Sequence, residues 1–294
     1  MRLPHAAVAA GLLLAIPPTA PAPTAEQFPD DYWYRGEAEL ARYDVTRSRY
    51  GEDRSAQVVM VFVTEDFLAE QQTKLEAGVP SGDAKVPVLK LNRIERFATG
   101  VYDYSIMTSV FTPTDAASRP RTLKVTTSVQ DWCGHVWLQL NLDGDRYRGE
   151  GHSYFQREAD RAFTTAATWL EDELWNRVRL GPDALPQGEL SVVPSTVDSR
   201  LRHYELGAKP ATATLGAADG DGNRVYRLRY DGGRELRITF AAAFPHRIQG
   251  WRESDGGNVL SEGRLQEVTT SAYWNRNGTK FESDREALDL PDYR

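Results

Sequence analysis

The sequence predicts an α+β protein, mainly a curved antiparallel sheet or incomplete barrel, and three observations carry that expectation. Short segments that alternate apolar and polar residues recur along most of the chain. Turn signals separate them, among them Thr99-Gly100, Asp143-Gly144, Asp231-Gly232-Gly233 and Asp255-Gly256-Gly257. One stretch near the middle, Ala159 to Arg179, has helical spacing instead. Many antiparallel strands bury one face and limit their exposed edges most simply by curling round a helix or a ligand.

The chain begins with Arg2, an apolar run from Ala6 to Ile16, and a segment of small residues and prolines. The run is shorter than the ~20 residues of a membrane-spanning helix. It suits a secretory signal peptide over residues 1–25, with cleavage near Ala22 or Ala25. Residues 26–294 are then expected as a single exported domain, with two sub-halves, 26–182 and 183–294, as the alternative. The expected location is periplasmic or secreted.

Tyr32 to Tyr50 mixes aromatic and charged residues in a way that fits a strand. Val58 to Val63, VVMVFV, fits a strand buried on both faces. Thr64 then reads as a cap, with Glu65 and Asp66 in a first turn and Phe67, Leu68 and Leu75 behind them. That pattern predicts a short helix over 65–77. Strands follow at Val86 to Phe97, Val101 to Thr112 and Leu123 to Val129.

In the next strand, Val136, Leu138, Leu140 and Leu142 share one face, and His135, Trp137, Gln139 and Asn141 share the other. A two-residue turn at Asp143-Gly144 places Leu142 opposite Asp145 and His135 opposite His152. A loop one residue longer places His135 opposite Ser153. A long helix is predicted over 159–179, with Phe163, Leu170, Leu174 and Val178 on its buried stripe and Glu171, Asp172 and Glu173 away from it. Gly181-Pro182 ends it. Val225 to Tyr230, Glu235 to Phe240 and Arg247 to Glu253 read as an antiparallel meander.

Composition excludes several functions. With 42 acidic against 35 basic residues and a net charge of −7, the chain lacks the clustered cations that nucleic acid binding needs. The mature chain has no stretch apolar enough to be a transmembrane segment. A phosphate-binding glycine loop, a GxSxG elbow and a dinucleotide fingerprint are all missing, so no cofactor is expected. Asp219, Asp221 and Asn223 imitate a calcium loop, but Arg224 and Tyr230 stand where its glycine and its bidentate acid belong.

The only cysteine, Cys133, lies two residues before His135. A thiolate needs a neighbouring base or cation, which His135 or His152 would supply, so Cys133, His135, His152 and Glu150 are the candidate catalytic residues. His135, His152 and Glu150 are also the candidate metal ligands. The plainer readings are a cysteine packed under Trp132 and Trp137 and a solvated polar hairpin face.

VMVFVTEDF (Val59 to Phe67), LKLNRIERFATGVYDYSIMTSVFTP (Leu89 to Pro113) and LKVTTSVQDWCGHVWLQLN (Leu123 to Asn141) resemble a group of uncharacterised exported bacterial proteins often labelled "septum formation inhibitor Maf". The resemblance implies a bacterial source and export, and brings no active site with it. Genuine Maf proteins are cytosolic nucleotide pyrophosphatases with a serine-rich, double-arginine loop, which this chain lacks. The layout is similar to the periplasmic lipoprotein-carrier fold in architecture alone. The expected function is a non-catalytic protein of the cell envelope that binds an apolar or amphipathic ligand or an envelope protein. The alternative is a hydrolase or metal-dependent enzyme centred on Cys133 and the two histidines.

Overall fold

Among the described residues the alternating segments pair into one fifteen-stranded sheet. The structure, a computed structural model, describes residues 30–291. The expected signal segment, 1–25, lies outside the described residues. Strands β1 (Ala38–Arg49), β2 (Glu52–Leu68), β3 (Lys85–Thr99), β4 (Tyr102–Pro113), β5 (Lys124–Asp131), β6 (Gly134–Asp143), β7 (Arg146–Ser153) and β8 (Arg161–Ala166) meander to one edge. From the opposite edge run β9 (Trp169–Leu170), β10 (Gly188–Val193), β11 (Lys209–Leu215), β12 (Asn223–Tyr230), β13 (Arg234–Ala241), β14 (Ile248–Asp255) and β15 (Asn258–Ser271). β15 pairs with β1, so the sheet is continuous across the boundary between 182 and 183. Its pairs are antiparallel except β9 with β10. The sheet is open, because β8 and β9 are not paired with each other.

Among the described residues three short α-helices accompany it: α1 (Asp30–Trp33), α2 (Leu174–Leu180) and α3 (Thr196–Arg202). α2 lies against the inner face. Asn176 donates to the carbonyls of Leu89 and Val110, and the neighbouring Trp175 packs edge-on against Trp251 of β14, 5.6 Å between ring centres. Adjacent residues of one helix thus reach β4 and β14, five ladders apart, which a flat sheet with ~4.8 Å between strands would not allow.

The run VVMVFV is buried on both faces, as its composition predicts. Val58, Met60 and Phe62 join the inner core, while Val61 and Val63 form an outer cluster with Ala38. Each of the three inner side chains contributes about 1.5–3 kcal/mol of burial. The C-terminal segment crosses the outer face, where Leu288 is buried and the Asp289 carbonyl accepts from Gln57.

Two predicted helices are corrected. Residues 65–68 continue β2, with Thr64 to Leu68 paired in register against Leu89 to Lys85. Thr64 donates its hydroxyl to the Trp33 carbonyl instead of capping, and Gln72 has a left-handed φ of 51° that a helix over 65–77 would forbid. The long helix over 159–179 becomes β8, β9, a 3-10 turn at Glu171–Glu173 and only then α2. Ala159 has φ 47°, and Phe163 pairs with Gly149 on β7, so β pairing overrides the helical spacing of 161–166. The stripe residues Leu170, Leu174 and Val178 do face the core. The acids Glu171, Asp172 and Glu173, expected on the solvent side, are also buried, because α2 and its leading turn are enclosed by the sheet.

Candidate functional site

The β6–β7 hairpin decides where the sequence candidates stand. Gly144, with φ 61°, is the first central residue of the turn, and Asp143 pairs with Arg146. Positive φ at the first central position alone is the II′ pattern, in which glycine leads the turn; the expected register placed it second. His152 therefore faces Trp137, Glu150 faces Gln139, and the Tyr154 amide donates to the His135 carbonyl at 3.2 Å. The predicted pairing of His135 with His152, or with Ser153, does not form.

Both histidines lie on the outer face, since Val136, Leu138 and Leu140 occupy the inner one. His152 stacks on Trp137, 5.6 Å between ring centres, and its Nδ1 lies 3.2 Å from Asp160. Glu150 is exposed. Cys133 sits exposed in the β5–β6 turn, where its amide donates to the Asp131 side chain at 2.7 Å. Trp132 is 72% exposed, so it does not cover the thiol. Among the described residues no three His, Cys, Asp or Glu side chains converge as a metal site.

The inner face carries the strongest electrostatics. Arg47 binds both carboxylate oxygens of Glu95, at 2.7 and 2.9 Å, and Arg93 adds a third bond at 2.8 Å. Burial raises the Glu95 carboxyl, but Arg47 and Arg93 outweigh it and hold it down to about 2. Arg234 grips both oxygens of Glu171, at 2.5 and 2.7 Å, and Tyr230 donates to the same carboxylate. Glu253 and Asp172 are shifted the other way, because burial there exceeds what Arg47 or the Thr196 hydrogen bonds return. Space beside this cluster amounts to about 10 Å³, at the lower limit for one water. The chain itself fills this part of the interior.

Room remains near one end. A cavity of about 220 Å³ lies between the inner face of β5–β6 and α3, with the β7–β8 segment at its rim. Val129, Val136 and Leu138 form one wall, and Arg157, Arg161 and Arg200 stand among the opposing residues. Ser195 caps α3, its hydroxyl oxygen accepting from the amides of Val197 and Asp198. His203 ends the helix with φ 58°, a left-handed conformation uncommon in a non-glycine residue. Glu158 ties the rim to this helix end: Ser153 donates to it at 2.7 Å, and His203 Nδ1 lies 2.7 Å away. Burial opposes its charge, but those bonds and the Arg200 charge hold the Glu158 carboxyl below its usual range.

Sequence reasoning missed α3 and Arg200. One signal was present, the Ser195-x-x-Asp198 spacing of a helix start. Nothing local, however, places residue 200 against a wall built from residues 129–138. Comparison of the chain with protein-family models, curated proteins and solved structures finds no match.

Proposed function

We propose that the protein is a non-catalytic binding protein of the cell envelope, exported to the periplasm or beyond, and that it holds an apolar or amphipathic ligand on the inner face of an incomplete barrel. The cavity between β5–β6 and α3 carries this reading, since three aliphatic side chains face a space of about 220 Å³ that the chain leaves unfilled. The resemblance to exported bacterial proteins and the apolar run at Ala6 to Ile16 support the location.

The test is to purify the protein from the periplasmic fraction of a bacterial host, extract it with organic solvent and identify released small molecules by mass spectrometry. An amphipathic molecule should leave the native protein and be missing from Leu138→Trp, whose indole occupies the cavity. Equal recovery from both proteins, or none from either, overturns the reading.

One observation favours an envelope protein as the bound partner. Tyr50, Val101 and Trp132 are 59%, 83% and 72% exposed. They sit at the β1–β2, β3–β4 and β5–β6 turns, which a meander brings to the same end. A cross-linker on the exposed Cys133 would then capture that protein, and Trp132→Ser would abolish the capture.

A further inference from the structure

Arg200 is the buried arginine of the cavity, and its hydrogen bonding is incomplete. Its side chain is 6% exposed, yet it lines the space. Nη1 reaches Glu158 at 3.4 Å and His203 Nδ1 at 3.2 Å, both long for charged partners. Among the described residues no acceptor reaches Nε, which is fully buried, and none bonds to Nη2. The guanidinium carbon lies 4.5 Å from the centre of the Phe155 ring. A buried donor without an acceptor costs about 1–3 kcal/mol, more when charged. Nη2 has no hydrogen bond among the described residues and is not fully buried, so it is the donor that an oxygen of a carboxylate, phosphate or sulfate group in the cavity can reach.

The neighbouring charges agree with an anion. Glu158 is engaged by Arg200, His203 and Ser153. Arg157 and Arg161 line the same space, and among the described residues neither has a carboxylate within ion-pair distance. Glu205 is the other acid at the lining and is exposed. Across the cavity stand only aliphatic groups of Val129, Val136 and Leu138 and the hydroxyl of Thr127, itself hydrogen-bonded to Thr196.

Resting on the reading of this cavity as the ligand site, we infer that its ligand is a small amphipathic anion. The acidic head takes Nη2 of Arg200, with Arg157 and Arg161 adding long-range attraction, and the apolar body lies on Val129, Val136 and Leu138. A space of about 220 Å³ is worth about seven waters at ~30 Å³ each, so the body is short, on the order of an eight-carbon chain.

Calorimetric titration of the full mature chain with octanoate, octyl sulfate, octanol and octylammonium tests this. Octanoate or octyl sulfate should bind at one saturable site at least tenfold more tightly than octanol, and octylammonium more weakly still. The better of the two acids identifies the head group as carboxylate or sulfate-like. Arg200→Gln should remove the preference for the anion, while Arg157→Gln, an exposed change, should weaken anion binding a few-fold and reduce its salt dependence. Circular dichroism of Arg200→Gln separates loss of the site from loss of the fold, and the Arg157→Gln result stands if that variant unfolds. Octanol binding as tightly as octanoate overturns the anion assignment and leaves the ligand cavity standing. No binding by any of the four overturns both.

Discussion

The two faces of the β6–β7 hairpin are made by neighbouring residues and have opposite surroundings. Outward stand His135, Trp137, Gln139 and, across the ladder, Glu150 and His152, in contact with solvent or with one another. Inward, Val136 and Leu138 face α3 and Arg200 across the cavity. The outer face holds the residues that look reactive in the sequence, but His152 is engaged by Trp137 and Asp160, away from His135 and Cys133, and no shared site forms among them. On the inner face a polar group is shut away from solvent and has to be paired, so an unpaired one there carries more information.

The largest effect expected from this contrast is on stability. Glu171→Ala leaves Arg234 buried without its bidentate partner and should cost about 3–5 kcal/mol in urea unfolding. Glu150→Ala, on the outer face, should change stability by no more than about 0.5 kcal/mol. Equal costs for the two would erase the distinction between the faces.

Acid should act through the inner face as well. Because the folded Glu95 carboxyl lies at about 2, below its ordinary 4.5, its contribution is fully present above pH 4.5 and fades as pH falls towards 2. The shift corresponds to about 3 kcal/mol. In unfolding measured from pH 6 to 2, Glu95→Gln should be less stable at the start and lose less on acidification; parallel curves would contradict the assignment.

A smaller effect is expected at Gly149, which faces Phe163 across the β7–β8 ladder. A Cβ built there would lie 2.3 Å from the Phe163 ring, so Gly149→Ala should cost about 1–3 kcal/mol through overpacking. Phe163→Leu should recover part of that loss in the double variant.

The smallest effects belong to the outer candidates. Cys133 should react fully with a maleimide in the native protein, and Cys133→Ser should leave the unfolding midpoint unchanged. His135→Ala and His152→Ala should each move stability by under about 0.5 kcal/mol and leave zinc uptake at the background of the native protein. Stoichiometric zinc lost on either substitution would instead establish a metal site on this face.

The sequence made the outline of the sheet legible for a local reason. Alternation at Leu123 to Val129 and Val136 to Leu142, with glycine turns between strands, depends on neighbours in the chain and appears in the structure as expected. The failures share a different cause. Residues 161–166 carry helical spacing that pairing with β7 overrides, and Glu171 to Glu173 look like a solvated face until Arg234, Thr196 and Thr122 are brought to them from elsewhere. The hairpin shift shows how little separates two registers: the position of Gly144 within its turn decides which residue meets His152. Arg200 was invisible because its significance rests on an acceptor that is missing, and only neighbours distant in sequence can reveal that.

The pairing of β1 with β15 has a consequence for how the molecule comes into being. The centre of the sheet joins residues 38–47 to 261–271, while the open edges, β8 and β9, are consecutive in the chain. A growing polypeptide can zip β1 to β8 as soon as they emerge, but its middle seam waits for the last strand to be made. Until then β1 offers an unpaired edge to any strand it meets. A chain built this way gains by remaining unfolded until synthesis is complete, a condition that threading across a membrane as an extended polymer also imposes.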